Sequence, residues 1–108
     1  MKSANTKAQM RKGILEPCFL PILSKEPIYS SEILITLKES KLIVVEGTIY
    51  PLLTRLKNAN LLEYRWKESK NGPPRKYYNI TSQGKDFLRD LNESWLELAN
   101  AVTKIRNI

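Results

Sequence analysis

Residues 46–58 carry small, hydroxylated, amide and basic side chains at a spacing that places them on one exposed side of a helix. The outward positions are Gly47, Pro51, Thr54 and Asn58, flanked by Tyr50, Arg55 and Lys57. Hydroxyl, amide and basic groups hydrogen-bond phosphates and base edges, so this segment is suited to contact nucleic acid. An ordinary amphipathic helix with a solvated polar face shows the same pattern, so the pattern alone leaves both interpretations open.

The apolar residues of the same segment predict the helix that presents this face. They fall at i, i+3, i+4 and i+7, the spacing of one buried stripe, at Ile49, Leu52, Leu53 and Leu56. Because proline is tolerated only near the start of a helix, Pro51 predicts a start close to Gly47 or Thr48. Asn60 is expected to end the helix in the left-handed conformation.

The charge of the chain favours a polyanionic partner. Its 108 residues fit a single domain, and 18 Lys and Arg against 11 Asp and Glu leave a net charge of +7. The excess lies in residues 1–25 and 64–76, whereas the rest of the chain nearly balances. Two basic segments outside the 46–58 helix therefore carry the charge.

Composition and motifs argue against several other classes of protein. There is no histidine and only one cysteine, so disulfide frameworks, zinc clusters and histidine acid–base chemistry are not expected. We find no paired carboxylates, nucleophile–base pair or phosphate-cradling glycine loop, so we expect no enzyme, metal or cofactor. Cys18 lies in an apolar run and is expected to be a small buried hydrophobe, with a redox thiol as the alternative. No signal peptide or span of ~20 apolar residues is present, so the chain is expected to be cytoplasmic.

A first helix is predicted over residues 5–24, with a broad apolar side. Pro17 and Pro21 lie inside it, and an interior proline costs ~3 kcal/mol, so we expect a kink, a break or a late start. Residues 1–9 are expected to include a flexible arm.

A second helix and a β-prone run are predicted to follow. Ser30 or Ser31 is expected to cap the helix, with Glu32 in its first turn. Residues 42–45 are an apolar run that is typical of a short strand leading into the 46–58 helix.

The segment after that helix predicts a β-hairpin. Residues 62–67 alternate apolar and charged, as in a half-buried strand, residues 68–74 read as a loop containing Lys70, and residues 75–80 return as a second strand. Three helices, a hairpin and a last helix are the order of a winged helix. We therefore predict a mainly α (α+β) winged helix-turn-helix fold over residues 1–80, with a C-terminal dimerisation helix over residues 81–108.

The last helix is predicted to begin after a Thr81 cap and to run to about Arg106. Its apolar residues are spaced as a heptad seam: Leu88, Leu91, Trp95, Leu98, Val102 and Ile105. At 1.5 Å per residue the helix is ~36 Å long, more than so small a domain can cover. Each seam side chain left exposed to water would lose ~1.5–3 kcal/mol of hydrophobic stabilisation, so we expect a homodimer that buries the seam.

Two motifs resemble the PadR family of bacterial transcriptional regulators. They are EGTIYPLLTRL at residues 46–56 and GPPRKYYNITSQGK at residues 72–85. The likeness covers roughly residues 10–100, and the short C-terminal helix resembles the small branch of the family. Asn60 departs from the glycine usual after the recognition helix, and Pro17 and Pro21 lie where the family's first helix is normally uninterrupted.

The resemblance implies a winged-helix homodimer, paired through its first and last helices, that binds a pseudo-palindromic DNA operator and represses transcription. It implies DNA contacts by Tyr29, Ser30, Thr48, Tyr50, Pro51 and Arg55, with Lys70, Arg75 and Lys76 on the wing. Trp95 is similar in placement to a tryptophan with which some small members of the family line a pocket at the dimer centre for planar aromatic effectors. Plain packing in the dimer interface is the alternative for this residue. The alternative is a winged helix that binds RNA or protein without operator-specific DNA binding, and activation in place of repression stays open.

Overall fold

A computed structural model describes residues 2–42 and 44–108 of the chain. The elements of these residues, in order, are α1 (Ser3–Lys25), α2 (Ser30–Glu39), α3 (Glu46–Asn58), β1 (Leu62–Ser69), β2 (Gly72–Ile80) and α4 (Ser82–Arg106). The order confirms the predicted winged helix-turn-helix fold with a C-terminal helix. In the described part of the chain, no helix combines the length and apolar character needed to cross a membrane.

The first helix is longer and less interrupted than predicted. It runs from Ser3 to Lys25 with both Pro17 and Pro21 inside it, so the expected break or late start is wrong, while the kink stays a prediction. Residues 3–9, where we expected a flexible arm, are helical as well. Each proline removes one backbone donor, but the buried face of α1 supplies Leu15, Phe19, Leu20 and Leu23 to the core. Packing of that face offsets the missing hydrogen bonds.

The second helix begins without the expected serine cap. Tyr29 is the N-cap residue, and its carbonyl accepts the Glu32 N–H at 3.0 Å, while no side chain caps the helix. The predicted capping by Ser30 or Ser31 is therefore wrong. The Ser30 hydroxyl is directed instead to the Tyr50 hydroxyl, 3.4 Å away.

The segment between α2 and α3 forms no strand at its described residues. Leu42, Val44 and Val45 are irregular, and Ile43 lies outside the described residues, so the short strand expected over 42–45 is wrong where it can be compared. The Leu42 N–H donates to the Leu37 carbonyl at 2.9 Å and closes the end of α2. The Leu42 N–H is therefore used to end α2 and not in a strand.

The third helix has the predicted start and end to within a residue. It begins at Glu46, and Asn60 follows its last turn with a φ of 63°, in the left-handed region. The Leu61 N–H donates to the Leu56 carbonyl at 3.0 Å, which satisfies a carbonyl at the helix end. Asn60 thus takes the conformation predicted for it.

The hairpin is longer and its loop tighter than predicted. Ser69 pairs with Gly72, so only residues 70 and 71 join the strands, and the loop expected over residues 68–74 is wrong. A bulge between Lys67 and Ser69 absorbs the register shift. The alternation of β1 also fails at Trp66, which is 61% exposed, because the hairpin projects beyond the core there.

One core joins the helices to the base of the hairpin. Its fully buried side chains are Phe19, Leu20, Leu23, Ile33, Ile49, Leu53 and Leu56. Ile28, between α1 and α2, exchanges both backbone hydrogen bonds with Tyr78, at 3.1 and 2.7 Å. The hairpin is therefore tied to the helices by backbone hydrogen bonds as well as by packing.

The first half of the last helix packs against the core, and the apolar seam of its second half is exposed. The Thr81 hydroxyl accepts the Gly84 N–H at 2.9 Å, which confirms the predicted cap, and the helix ends at Arg106 as expected. Leu88 and Leu91 pack against the core. The rest of the heptad seam, Trp95, Leu98, Val102 and Ile105, is 44–67% exposed. One protomer thus covers only the first part of the seam.

Candidate nucleic-acid interface

The outward face of α3 is the one predicted from its sequence. Ile49, Leu52, Leu53 and Leu56 are buried, while Gly47, Pro51, Thr54 and Asn58 are exposed. The apolar stripe fixes the helix on the core, so the opposite side faces solvent with its polar groups available.

The wing and the starts of α2 and α3 together line a groove, here called the tyrosine groove. Its lining is Tyr29, Ser30, Ser31, Tyr50, Arg75, Lys76 and Tyr78. The Arg75 guanidinium lies over the Tyr29 ring, 4.6 Å from its centre, and that ring contacts the Tyr77 ring at 5.5 Å. The Tyr50 hydroxyl donates to the Glu46 carboxylate at 3.0 Å. These contacts hold a hydroxyl and a cation in fixed positions beside α3.

Aromatic rings also place the other wing cations. The Lys67 ammonium lies 4.9 Å from the centre of the Tyr77 ring, and the Lys76 ammonium lies 4.5 Å from that of Tyr64. Lys76 is also 5.3 Å from the Trp66 ring centre. Cations held over rings lose less conformational freedom when they bind an anion, so these contacts would favour anion binding by the wing.

A second groove lies between α1 and α3, here called the α1–α3 groove. Its lining is Lys12, Gly13, Leu15, Glu16, Thr48, Pro51, Leu52 and Arg55. The Arg55 guanidinium forms an ion pair with the Glu16 carboxylate, which joins the two helices across the groove. Thr48, Pro51 and Arg55 therefore lie apart from the tyrosine groove.

The residues predicted to contact DNA are thus divided. Tyr29, Ser30, Tyr50, Arg75 and Lys76 meet in the tyrosine groove, and Thr48, Pro51 and Arg55 share the α1–α3 groove. Lys70 occupies the turn of the hairpin, outside both. All of them lie at or beside α3 and the wing except Tyr29 and Ser30, which begin α2.

Sequence reasoning missed the contribution of α1 to this surface. Lys12 and Glu16 line the α1–α3 groove, and Arg11 lies with Lys12 beside Thr48 at the start of α3. The charge excess of residues 1–25 indicated a basic segment, but it did not indicate which element it would face. Trp66 was also missed, because strict alternation predicts it to be buried.

The pKa values of Tyr78 and Cys18 are shifted from their ordinary values. Burial raises the pKa of the Tyr78 hydroxyl, and the nearby Tyr64 and Tyr50 raise it further. Burial also raises the pKa of the Cys18 thiol, which is half-buried among the partly covered side chains around the core. Within residues 2–42 and 44–108, no group of three or more His, Cys, Asp or Glu could hold a metal ion.

The predicted effector residue, Trp95, lies on the projecting half of α4 and is 47% exposed. Its neighbours along the seam, Leu91 and Leu98, are on the same helix, four residues before it and three residues after it. The pocket at Trp95 stays a prediction.

Comparison with known proteins agrees with this architecture. The family described as "Transcriptional regulator PadR-like family" matches residues 19–90. A PadR-like transcription factor from Bacteroides fragilis is 59% identical, with a TM-score of 0.78, over 94% of this chain and 98% of that chain. A PadR family transcriptional regulator from Eggerthella lenta is 30% identical, with a TM-score of 0.88, over 95% of this chain and 90% of that one.

A third solved structure holds nucleic acid. It is Bacillus subtilis PadR in complex with operator DNA, 25% identical to this chain with a TM-score of 0.67. The match covers 72% of this chain and 45% of that longer protein.

Proposed function

This chain belongs to the PadR-like family of transcriptional regulators, and on that premise we propose that it binds operator DNA as a homodimer and represses transcription. One observation carries the proposal: the exposed polar face of α3 lies beside a groove where Tyr50, Ser30 and Arg75 meet. Helix and wing would then read one site together.

Each protomer would insert α3 into a major groove. Thr48, Tyr50 and Arg55 would contact base edges or phosphates there, since hydroxyl and guanidinium groups serve both purposes. Tyr29 and Ser30 would contact the adjoining backbone. Lys70, Arg75 and Lys76 on the wing would neutralise phosphates beside the helix. The complex of Bacillus subtilis PadR with operator DNA supports DNA binding by analogy.

Pairing of two chains would use the α4 seam and α1. The seam residues beyond Leu91 are exposed in one protomer, and the exposure of these apolar side chains to water is unfavourable. A two-fold partner would cover them and set the two α3 helices ~34–36 Å apart, one turn of duplex. On this proposal residues 1–80 form the DNA-binding unit and residues 81–108 the dimerisation helix.

A planar aromatic compound would act at the dimer centre. Trp95 offers an indole ring on an exposed seam, and a ring inserted between two such faces would change the angle between protomers. That change would alter the spacing of the α3 helices and relieve repression. Because the chain has two tryptophans, Trp66→Phe leaves Trp95 as the single tryptophan, whose fluorescence is then followed in titrations with planar aromatic compounds. Quenching together with altered DNA affinity supports the effector site, and no response to any compound contradicts it.

DNA binding is tested by fluorescence anisotropy with the duplex that lies just upstream of the protein's own coding region. We expect binding that is tighter than to a scrambled duplex and that weakens with salt. If six phosphates are neutralised across the dimer, the log–log salt slope is about −5. A regulator of transcription acts where the chromosome lies, so this proposal places the chain in the cytoplasm.

The same assay separates the alternative classes. Equal affinity for duplex DNA and for RNA of the same sequence would favour an RNA-binding winged helix. A protein-binding module would show no duplex affinity even in dilute salt.

A further inference from the structure

The ion pair between Arg55 and Glu16 joins the proposed reading helix to α1. Arg55 belongs to the α3 residues assigned to DNA, yet its guanidinium is bound by a carboxylate of another helix. DNA that contacts Arg55 must therefore take the place of an existing partner.

The two side chains differ in their freedom to move. The Arg55 side chain is 65% exposed, whereas that of Glu16 is only 22% exposed. Glu16 lies between Leu15, which is buried, and half-buried Pro17 on a helix that packs on the core, so the backbone that carries it is held in place. Arg55 is the more exposed partner and can leave the pair by rotating its own side chain.

The chemistry of the pair resembles that of a protein–DNA contact. A carboxylate and a phosphate both accept two N–H groups from one guanidinium. Besides this pair, the α1–α3 groove holds one further charged side chain among its described lining, Lys12. Glu16 is thus the single acid of this lining, and it already binds the guanidinium of Arg55.

We propose that Glu16 competes with DNA for Arg55 and so lowers the affinity of the protein for DNA. The inference rests on the proposed function, because it assigns a DNA contact to Arg55. In the free protein Arg55 is bound to Glu16, and on DNA it is transferred to a phosphate or a base edge. Without the Glu16 carboxylate, Arg55 is unpaired in this groove before DNA binds, so no ion pair has to be broken when it contacts DNA.

The experiment compares wild type, Glu16→Gln, Arg55→Gln and the double variant. Anisotropy with a labelled mixed-sequence duplex is measured between about 50 and about 200 mM salt. We expect Glu16→Gln to bind about threefold to tenfold tighter than wild type. Its salt slope should stay close to that of wild type, because Arg55 makes the same DNA contact in both proteins and only the competing carboxylate is lost. In the Arg55→Gln background the gain from Glu16→Gln should disappear.

Two controls separate competition from a general charge effect. Glu39→Gln makes the same charge change at an exposed acid at the end of α2, and we expect it to leave the affinity unchanged. Glu16→Ala should repeat the effect of Glu16→Gln, and urea unfolding confirms that each variant is folded.

The outcomes are distinct. A Glu16→Gln protein that binds no tighter than wild type overturns the inference, as does an equal gain with Arg55→Gln present or an equal gain from Glu39→Gln. A wild-type protein that binds no duplex at all contradicts the proposed function itself.

Discussion

Gly84 lies so close to Leu61 that a Cβ atom on Gly84 would overlap the Leu61 carbonyl oxygen. The same carbonyl accepts the Thr81 N–H at 3.1 Å. The first turn of α4 is thus fixed against the residue that precedes β1. This contact sets the direction in which α4 leaves the winged domain, and with it the direction of the exposed seam.

Gly84→Ala should destabilise the protein, because the added methyl group meets backbone on one side and Ile80 at 2.6 Å on the other. We expect a loss of about 1–3 kcal/mol in the free energy of unfolding, measured by urea denaturation. Gly13→Ala is the matched control, since nothing lies within 4 Å of a Cβ atom there. That change should stabilise α1 by about 0.5–1 kcal/mol. Equal effects at the two glycines would contradict the close contact.

Thr81→Ala should remove two hydrogen bonds at the start of α4. The Thr81 hydroxyl accepts from the Gly84 N–H at 2.9 Å and donates to the Asn60 carbonyl at 2.7 Å. We expect a loss of about 1–2 kcal/mol in urea unfolding. Thr81→Ser keeps the hydroxyl and should recover most of the loss, so a serine variant as unstable as the alanine one would rule out the capping role.

Leu98→Glu should convert the proposed dimer to a monomer that is still folded. Leu98 is 58% exposed in one protomer, so a carboxylate there costs little until a partner covers it. Light scattering coupled to gel filtration measures the mass. Leu96→Glu is the control, because Leu96 is 62% exposed but lies well away from the seam at 100° per residue. A dimer that survives Leu98→Glu would argue against the seam as its interface.

Arg75→Gln should weaken DNA binding through the loss of a wing cation. Arg75 is held over the Tyr29 ring in the tyrosine groove, so its charge is already in place for a phosphate. We expect the salt slope of anisotropy titrations to become shallower by about 0.9 per protomer. Arg89→Gln removes the same charge from α4, where Arg89 pairs with Asp86 at 3.3 Å, and should leave the slope unchanged. The same loss from both variants would show that net charge, and not the wing, determines affinity.

Alkaline pH should destabilise the fold. The pKa values of Cys18 and Tyr78 are raised above their ordinary values of 9.0 and 10.0, so the folded chain holds these protons more tightly than the unfolded chain. Their contribution is complete below the ordinary pKa values and is lost as the pH rises through the folded ones. Urea midpoints should therefore fall above pH 9.0. Cys18→Ala should remove the part that comes from the thiol, and midpoints that stay level would contradict the burial of both groups.

Local patterns were sufficient for most of the fold. The i, i+3, i+4, i+7 stripe of α3 fixed which side is buried, because only one side of that helix can enter a core. Thr81 predicted the start of α4 because its hydroxyl caps a backbone N–H only three residues away. Asn60 predicted the end of α3 because it tolerates the left-handed backbone conformation. Hydrophobic periodicity and turn residues also predicted the order of the helices and the hairpin.

Tertiary structure decided what depends on distant neighbours. Pro17 and Pro21 stay within one helix because their helix is packed on a core whose other members lie far along the chain. The Ser30 hydroxyl is directed to Tyr50, twenty residues away, and Arg55 is bound by Glu16 from α1. No local propensity encodes such pairings, because they exist only once the helices are brought together by the burial of their apolar faces.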